Sequence, residues 1–187
     1  MKTIGITGGI GSGKSVVCNI LKILNYPVYD TDTQAKLLMN ESPVIISKLK
    51  LLVGDDAYLN GEINRPRISS FIFSSKGNLN KVNSIVHPEV CAHFDAWRLA
   101  QTSSIVFVES AILYESGLSD MVDEVWCVVA DLEERVKRVI KRNGLTREDV
   151  LARINSQISD IERSQKSDHV IDNSGNISLL KQIIKLL

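Results

Sequence analysis

The sequence lacks the features that mark several protein classes. Its 187 residues include only three cysteines, none in a Cys-x-x-Cys pair, which favours buried free thiols in a reducing, cytoplasmic compartment. No run approaches the roughly 18 apolar residues of a membrane span. The 22 basic and 22 acidic side chains balance, so the basic excess of a nucleic-acid binder is absent. We therefore expect a globular protein with no nucleic-acid partner, no membrane partner and no signal peptide.

Alternating strand and helix patterns predict an α/β fold. Short β-type runs predict five strands at residues 3–7, 27–29, 105–108, 125–129 and 169–171. Because strands that alternate with helices pair side by side in one direction, these five form a parallel sheet.

Two long helical stretches interrupt the strand pattern, at about 33–102 and 132–166. In the first, Pro88 suits the first turn of a helix that continues to about Ala100. In the second, Thr146 resembles the N-cap of a helix that reaches about Arg163. We predict a single domain, 1–187, whose core (about 1–32, 103–131 and 167–187) carries two helical insertions.

The turn after the first strand carries the most specific motif. Gly8-Gly9-Ile10-Gly11-Ser12-Gly13-Lys14-Ser15 matches G-x-x-x-x-G-K-[ST] at every fixed position. Glycine lets backbone N–H groups approach phosphate oxygens, Lys14 adds charge at the β- and γ-phosphates, and the Ser15 hydroxyl is placed to bind Mg²⁺. The motif follows a strand and opens a helix, which predicts a P-loop NTPase, a three-layer α/β/α fold, that binds ATP or GTP with magnesium.

Acidic side chains end two further strands. Asp32, after the second strand, is a candidate to accept the proton of an acceptor hydroxyl and to hold a magnesium-bound water. Asp30, which ends that strand, fits such a role and a cap of the strand equally well. Glu109 ends the run 105–108, where P-loop proteins bind Mg²⁺ through water. The alternatives are a helix cap for Asp32 and an exposed strand end for Glu109.

Three arginines, Arg135, Arg138 and Arg142, share one face of the predicted helix that begins near residue 132. Their mutual repulsion favours an anion between them, as phosphoryl transfer requires. The alternative is a solvated face paired with Glu133 and Glu134.

The rest of the chain indicates how the triphosphate is used. The Asn-Lys-x-Asp loop of GTPases is absent, and the chain is too short for a motor. Helical insertions suit a small-molecule kinase, in which one binds the acceptor (about 33–102) and one closes as a lid (about 132–166) to exclude water. A nucleoside-monophosphate or other metabolite kinase and a non-catalytic nucleotide-binding switch remain alternatives.

These residues together resemble the dephospho-CoA kinase family over nearly the whole chain. The resemblance lies in 4–15, 28–32, Asn64-Arg65, Ile72-Phe73, Ile85-Val86-His87-Pro88, Arg138, Arg142, Thr146, Arg153, Gln157 and 170–175. One stretch departs: residues 110–115 read Ser-Ala-Ile-Leu-Tyr-Glu where the family usually has Pro-Leu-Leu-x-Glu.

We expect a monomer or weak homo-oligomer. The resemblance implies transfer of the ATP γ-phosphoryl group to the ribose 3′-hydroxyl of dephospho-coenzyme A. It implies catalytic roles for Asp32, Arg138 and Arg142. The glycine-rich motif adds a catalytic role for Lys14, and the motif and the strand ends predict Mg²⁺ binding by Ser15, Glu109 and Asp32. Residues implied to bind ATP are Gly8, Gly9, Ile10, Gly11, Ser12, Gly13, Lys14, Ser15, Val16, Arg138 and Asn173. Residues implied to bind the acceptor are Asp32, Arg65 and His87, although His87 also suits a core hydrogen bond.

Overall fold

A computed structural model describes residues 1–187 and contains seven strands and nine α-helices. The strands are β1 (Lys2–Thr7), β2 (Val28–Asp30), β3 (Tyr58–Leu59), β4 (Glu62–Ile63), β5 (Ile105–Glu109), β6 (Glu124–Val129) and β7 (His169–Asp172). The helices are α1 (Lys14–Ile23), α2 (Thr31–Glu41), α3 (Pro43–Val53), α4 (Arg65–Ser74), α5 (Asn78–Leu99), α6 (Leu132–Asn143), α7 (Arg147–Asn155), α8 (Asp160–Gln165) and α9 (Leu179–Leu186). None of the helices is both long and apolar enough to cross a bilayer.

The chain divides into two compact units. The first unit comprises residues 1–29 and 101–187, and the second comprises residues 30–100.

A five-stranded parallel sheet forms the centre of the first unit, in the order β2-β5-β1-β6-β7, which confirms the predicted fold class. Strand β1 lies in the middle and pairs Ile6 with Glu109 of β5 and Thr7 with Cys127 of β6. The carboxyl end of β1, where the glycine-rich turn begins, is therefore flanked by the ends of β5 and β6.

Helices α1 and α9 pack on the sheet through a common apolar core. Val17 and Leu21 of α1 and Ile183 of α9 join the buried cluster that contains Phe107 and Trp126. The Phe107 ring makes an edge contact with Trp126 at 5.4 Å between centroids. Burial of this apolar surface fixes α1, and with it the start of the helix at Lys14, against the sheet.

The second unit is helical, as predicted, but it contains a hairpin that we did not predict. Strands β3 and β4 pair antiparallel across Asn60 and Gly61, whose φ values are 54° and 85°. Asn-Gly is the residue pair preferred in such two-residue turns, because both positions need positive φ.

The prediction that Pro88 starts a helix is wrong, since Pro88 lies inside the 22-residue helix α5. A proline there removes one helical hydrogen bond, at a cost of about 3 kcal/mol. The residues Val82, Val86, Val90 and Phe94 repeat every four positions and are all buried. This packing stabilises the helix through the proline.

The prediction of one helix from Thr146 to about Arg163 is also wrong in its second half. Thr146 does cap a helix, since its hydroxyl accepts a hydrogen bond from the N–H of Asp149 at 3.1 Å. That helix ends at Asn155, and α8 begins only after Ser159, whose hydroxyl accepts from the N–H of Glu162 at 3.1 Å. The intervening residues contact the glycine-rich turn.

Candidate active site

The turn between β1 and α1 has backbone geometry that requires glycine. Gly11 and Gly13 adopt φ values of 80° and 98°, which are strained for other residues. A Cβ at Gly11 would lie 2.7 Å from the Arg135 carbonyl oxygen, and a Cβ at Gly13 would overlap the Asn173 amide. The turn is thus packed closely on its outer side by α6 and by the residues after β7.

Lys14 and Ser12 place polar groups within this turn. Lys14 Nζ donates a hydrogen bond to the Gly8 carbonyl at 2.9 Å, so its ammonium group reaches back across the turn. The Ser12 hydroxyl is buried and has no hydrogen-bond partner. Ser15 and Val16 are exposed in the first turn of α1. The helix dipole at this end of α1 favours an anion such as a phosphate.

Glu109 lies beside the turn at the end of β5. Its carboxylate accepts a hydrogen bond from the Cys18 thiol of α1, and burial, with the negative charge of Glu109, raises the pKa of that thiol. Cys18 therefore stays a neutral thiol. Ser15 and Glu109 offer hydroxyl and carboxylate oxygens, the ligand types that Mg²⁺ prefers.

Arg138 and Asn173 meet at the glycine-rich turn. The Asn173 side chain donates from Nδ2 to the Ser12 carbonyl at 2.7 Å, and Arg138 Nη2 donates to the Asn173 carbonyl at 2.8 Å. Arg138 Nη1 also approaches the Ser12 carbonyl at 3.5 Å. Both predicted ATP-binding residues thus hold the backbone of the turn; their roles toward ATP remain predictions.

The three arginines of α6 occupy three different environments and do not converge. Arg135 is buried and forms an ion pair with Asp160. Arg142 is exposed, and its Nε donates to the neighbouring Asn143 side chain at 2.8 Å. The carboxylates proposed as alternative partners pair elsewhere, Glu133 with Arg147 and Glu134 with Lys137.

Sequence reasoning missed contacts from α8 and from the segment before it. The Gln157 side chain accepts a hydrogen bond from the Ile10 N–H at 3.0 Å, and the partly exposed Asp160 pairs with the buried Arg135 and Arg163. The resemblance had singled out Gln157, whereas no sequence pattern pointed to Asp160 or Arg163.

The departing stretch 110–115 packs into the first unit. Leu113 is buried against Gly5 of β1, where an added Cβ would lie 2.9 Å from a Leu113 methyl carbon. The Tyr114 hydroxyl shares a hydrogen bond with Ser167 at 2.9 Å. Leu113 is therefore a core residue, and Tyr114 holds the stretch to Ser167 by its hydroxyl.

The remaining predicted residues lie in the second unit. Asp30 caps α2 by accepting hydrogen bonds from the Thr33 N–H at 3.0 Å and hydroxyl at 2.9 Å, so the helix cap given as the alternative for Asp32 lies instead at Asp30. Asp32 is exposed in the first turn of α2, and Arg65 is exposed at the start of α4. His87 is half-buried in α5, where burial lowers its pKa and favours the neutral imidazole.

Comparisons with known proteins place the chain in a family. The family model described as dephospho-CoA kinase matches residues 2–178. The dephospho-CoA kinase of Porphyromonas gingivalis is 43% identical over 192 residues, covering 100% of this chain and 93% of the relative. That of Bacteroides fragilis is 41% identical over 185 residues, covering 98% of this chain and 90% of the relative.

Solved structures agree on the fold. A protein from Thermus thermophilus, TT1252, superposes with a TM-score of 0.87 at 34% identity, covering 99% of this chain and 95% of that one. A dephospho-CoA kinase from Campylobacter jejuni superposes with a TM-score of 0.73 at 23% identity, covering 100% and 96%. The glycine-rich turn, the parallel sheet and the match over residues 2–178 together establish that the chain belongs to the dephospho-CoA kinase family of P-loop kinases.

Proposed function

We propose that this protein transfers the γ-phosphoryl group of ATP to the ribose 3′-hydroxyl of dephospho-coenzyme A, giving coenzyme A and ADP. The observation that carries the proposal is the glycine-rich turn of residues 8–15, with its closely packed glycines and inward Lys14, in a chain of this family. The acceptor hydroxyl oxygen forms a bond to the γ-phosphorus as the bond from that phosphorus to the β,γ-bridging oxygen breaks.

The turn binds the triphosphate through its backbone and its charge. The N–H groups at the start of α1 donate to phosphate oxygens, and the hydroxyl of Ser12 supplies a further donor. Lys14 moves its ammonium group from the Gly8 carbonyl to the β- and γ-phosphates. These fixed donors stabilise the charge that spreads over the transferring oxygens.

Ser15 and Glu109 are the residues that would hold Mg²⁺, with Asp32 as a further candidate. When bound, the ion neutralises negative charge on the β- and γ-phosphates. The chain supplies the Glu109 carboxylate at the end of β5, beside the Cys18 thiol of α1.

Asp32 is the proposed general base. It follows β2 by two residues, and its exposed carboxylate is free of the capping bonds that occupy Asp30. It takes the proton of the 3′-hydroxyl as the oxygen attacks, which removes positive charge from the transition state. In the same proposal, Arg65 and His87 contact the acceptor, and Arg138 and Arg142 of the lid neutralise the transferring group.

The test is a panel of acceptors in a coupled assay of ADP release. We expect ATP turnover with dephospho-coenzyme A and none above background with CMP, AMP or shikimate. Turnover of CMP without turnover of dephospho-coenzyme A would replace the proposed acceptor by a nucleoside monophosphate. Tight ATP binding with no acceptor-dependent ADP release would indicate a nucleotide-binding switch.

A further inference from the structure

Side chains from α6 and from the segment before α8 hold both backbone groups of Ile10, in the middle of the glycine-rich turn. Arg135 Nε donates to the Ile10 carbonyl at 2.9 Å, and Gln157 Oε1 accepts from the Ile10 N–H at 3.0 Å. The proposed phosphoryl transfer assigns no role to either contact.

Asp160 holds the Arg135 guanidinium in place. Its two carboxylate oxygens pair with Arg135 and with Arg163, whose Nη1 donates at 2.9 Å. The side chains of Arg135 and Arg163 are 2% and 1% exposed, and Arg163 Nε and Nη2 have no hydrogen-bond partner. Because a buried cation needs a counter-ion, both guanidinium groups depend on this single carboxylate.

The cluster packs directly on the turn. A Cβ at Gly9 would lie 2.9 Å from Asp160 Oδ1 and would overlap the Arg135 guanidinium. The ion pair and the backbone of the turn therefore share one closely packed surface, and a change in the position of Arg135 removes its hydrogen bond to Ile10.

We propose that Asp160 is a positioning residue for nucleotide binding. It orients Arg135, which together with Gln157 anchors Ile10 and keeps the turn ordered for phosphate. The inference rests on one part of the proposed function, namely that the glycine-rich turn binds ATP. A turn without its anchor must be ordered when ATP binds, and that entropy cost lowers the affinity for ATP.

The experiment compares Asp160→Asn with a matched control. Asp160 is 39% exposed and lines a cavity of about 250 Å³, so we expect the isosteric amide to be accommodated. Glu133→Gln is the control, because the Glu133–Arg147 ion pair joins α6 to α7 in an exposed position and does not contact the turn. Calorimetry gives the Kd for ATP of each variant, and steady-state kinetics gives KM for ATP and kcat.

We expect Asp160→Asn to raise Kd and KM for ATP about tenfold and to retain kcat at saturating ATP. A tenfold change is typical of the coupling between two sites, here Asp160 and the glycine-rich turn. Glu133→Gln should bind ATP as the native protein does. The double variant Arg135→Gln with Asp160→Asn should bind no more weakly than the weaker single variant, because both substitutions remove the same anchor.

A native Kd for ATP in Asp160→Asn, even with a lowered Tm, would overturn the inference and leave Asp160 a purely structural residue. If Asp160→Asn does not fold, Gln157→Leu is the second test, because it removes the other side-chain contact to Ile10 and leaves no buried charge without a partner. Native ATP affinity in Gln157→Leu would also contradict the inference. If the native protein binds ATP but does not phosphorylate dephospho-coenzyme A, only the proposed function fails, because the affinity comparison needs no acceptor.

Discussion

Lys14 combines two contacts that its neighbours cannot make. Its ammonium group bonds the Gly8 carbonyl in the structure, and in the proposed complex it bonds the β- and γ-phosphates. We predict that Lys14→Met lowers kcat/KM for ATP on the order of 100-fold or more, the usual loss when one donor to a developing anion is removed. Lys22→Met is the control, since Lys22 is an exposed lysine two turns further along α1. Equal kinetics for the two variants would contradict the role of Lys14.

A substitution at Asp32 distinguishes ATP binding from the phosphoryl-transfer step. If it is the base, Asp32→Asn keeps the shape of the side chain and removes its ability to accept a proton. We predict a fall in kcat of about 100- to 10,000-fold, while the Kd for ATP stays at its native value. Asp55→Asn, at another exposed aspartate of the same unit, should leave kcat unchanged. An active Asp32→Asn variant would move the base elsewhere.

Single residues of the glycine-rich turn could be predicted from sequence because their geometry is local. Eight consecutive residues determine the turn, and the sequence motif states the glycines, the lysine and the serine directly. Asp160 could not be predicted in this way. Its partner Arg135 lies 25 residues away, on α6, and a break between α7 and α8 precedes Asp160.

The turn as an element depends on glycine at its junction with α1. Gly13 precedes the helix with a φ of 98°, and a Cβ there would overlap the Asn173 amide. We predict that Gly13→Ala destabilises the fold by about 1–3 kcal/mol through backbone strain. The Kd for ATP should rise about tenfold or more, because Asn173 must release the Ser12 carbonyl.

Gly77→Ala is the matched control for the turn. Gly77 precedes α5 with a φ of −90°, and a Cβ there meets no atom within 4 Å. Chemical denaturation and calorimetry should show stability within about 1 kcal/mol of the native value and an unchanged Kd for ATP. Tolerance of alanine at Gly13 equal to that at Gly77 would contradict the account of the turn.

Strands and helices with a strong hydrophobic pattern could be predicted from the sequence. Turns and helix breaks that depend on one or two residues could not. Strands β5 and β6 stand out because buried parallel strands are continuous apolar runs. The hairpin at Asn60 and the helix break before Asp160 each depend on short turns with little hydrophobic pattern. At Pro88, tertiary packing overrides the local preference of proline for a helix start.

At the scale of the whole molecule, one partly buried carboxylate links three strands of the sheet. Glu124 of β6 forms an ion pair with Lys2 of β1, accepts from Trp126 Nε1 at 2.6 Å and lies 3.1 Å from His169 Nε2 of β7. Burial alone would raise the pKa of Glu124, but the hydrogen bonds from Lys2 and Trp126 and the nearby charges outweigh it and lower the pKa.

This pKa shift predicts the response of stability to acid. Because folding lowers the pKa of Glu124, its contribution is complete above the ordinary glutamate pKa and is lost as pH falls through the lower folded pKa. Urea denaturation at a series of acidic pH values should therefore show a flatter decline of the unfolding free energy in Glu124→Gln than in the native protein. Glu115→Gln, at an exposed glutamate, should keep the native slope. Parallel curves for all three proteins would contradict the linkage.

The central claim is that the glycine-rich turn directs the γ-phosphoryl group of ATP to one hydroxyl of one acceptor. Phosphorus–proton correlation NMR of the product formed from ATP and dephospho-coenzyme A measures this directly, because it locates the new phosphate on the ribose. We expect a single product with its phosphate at the 3′ position and one ADP for each product molecule. Phosphate at another position, or ADP formed without a phosphorylated acceptor, would contradict it.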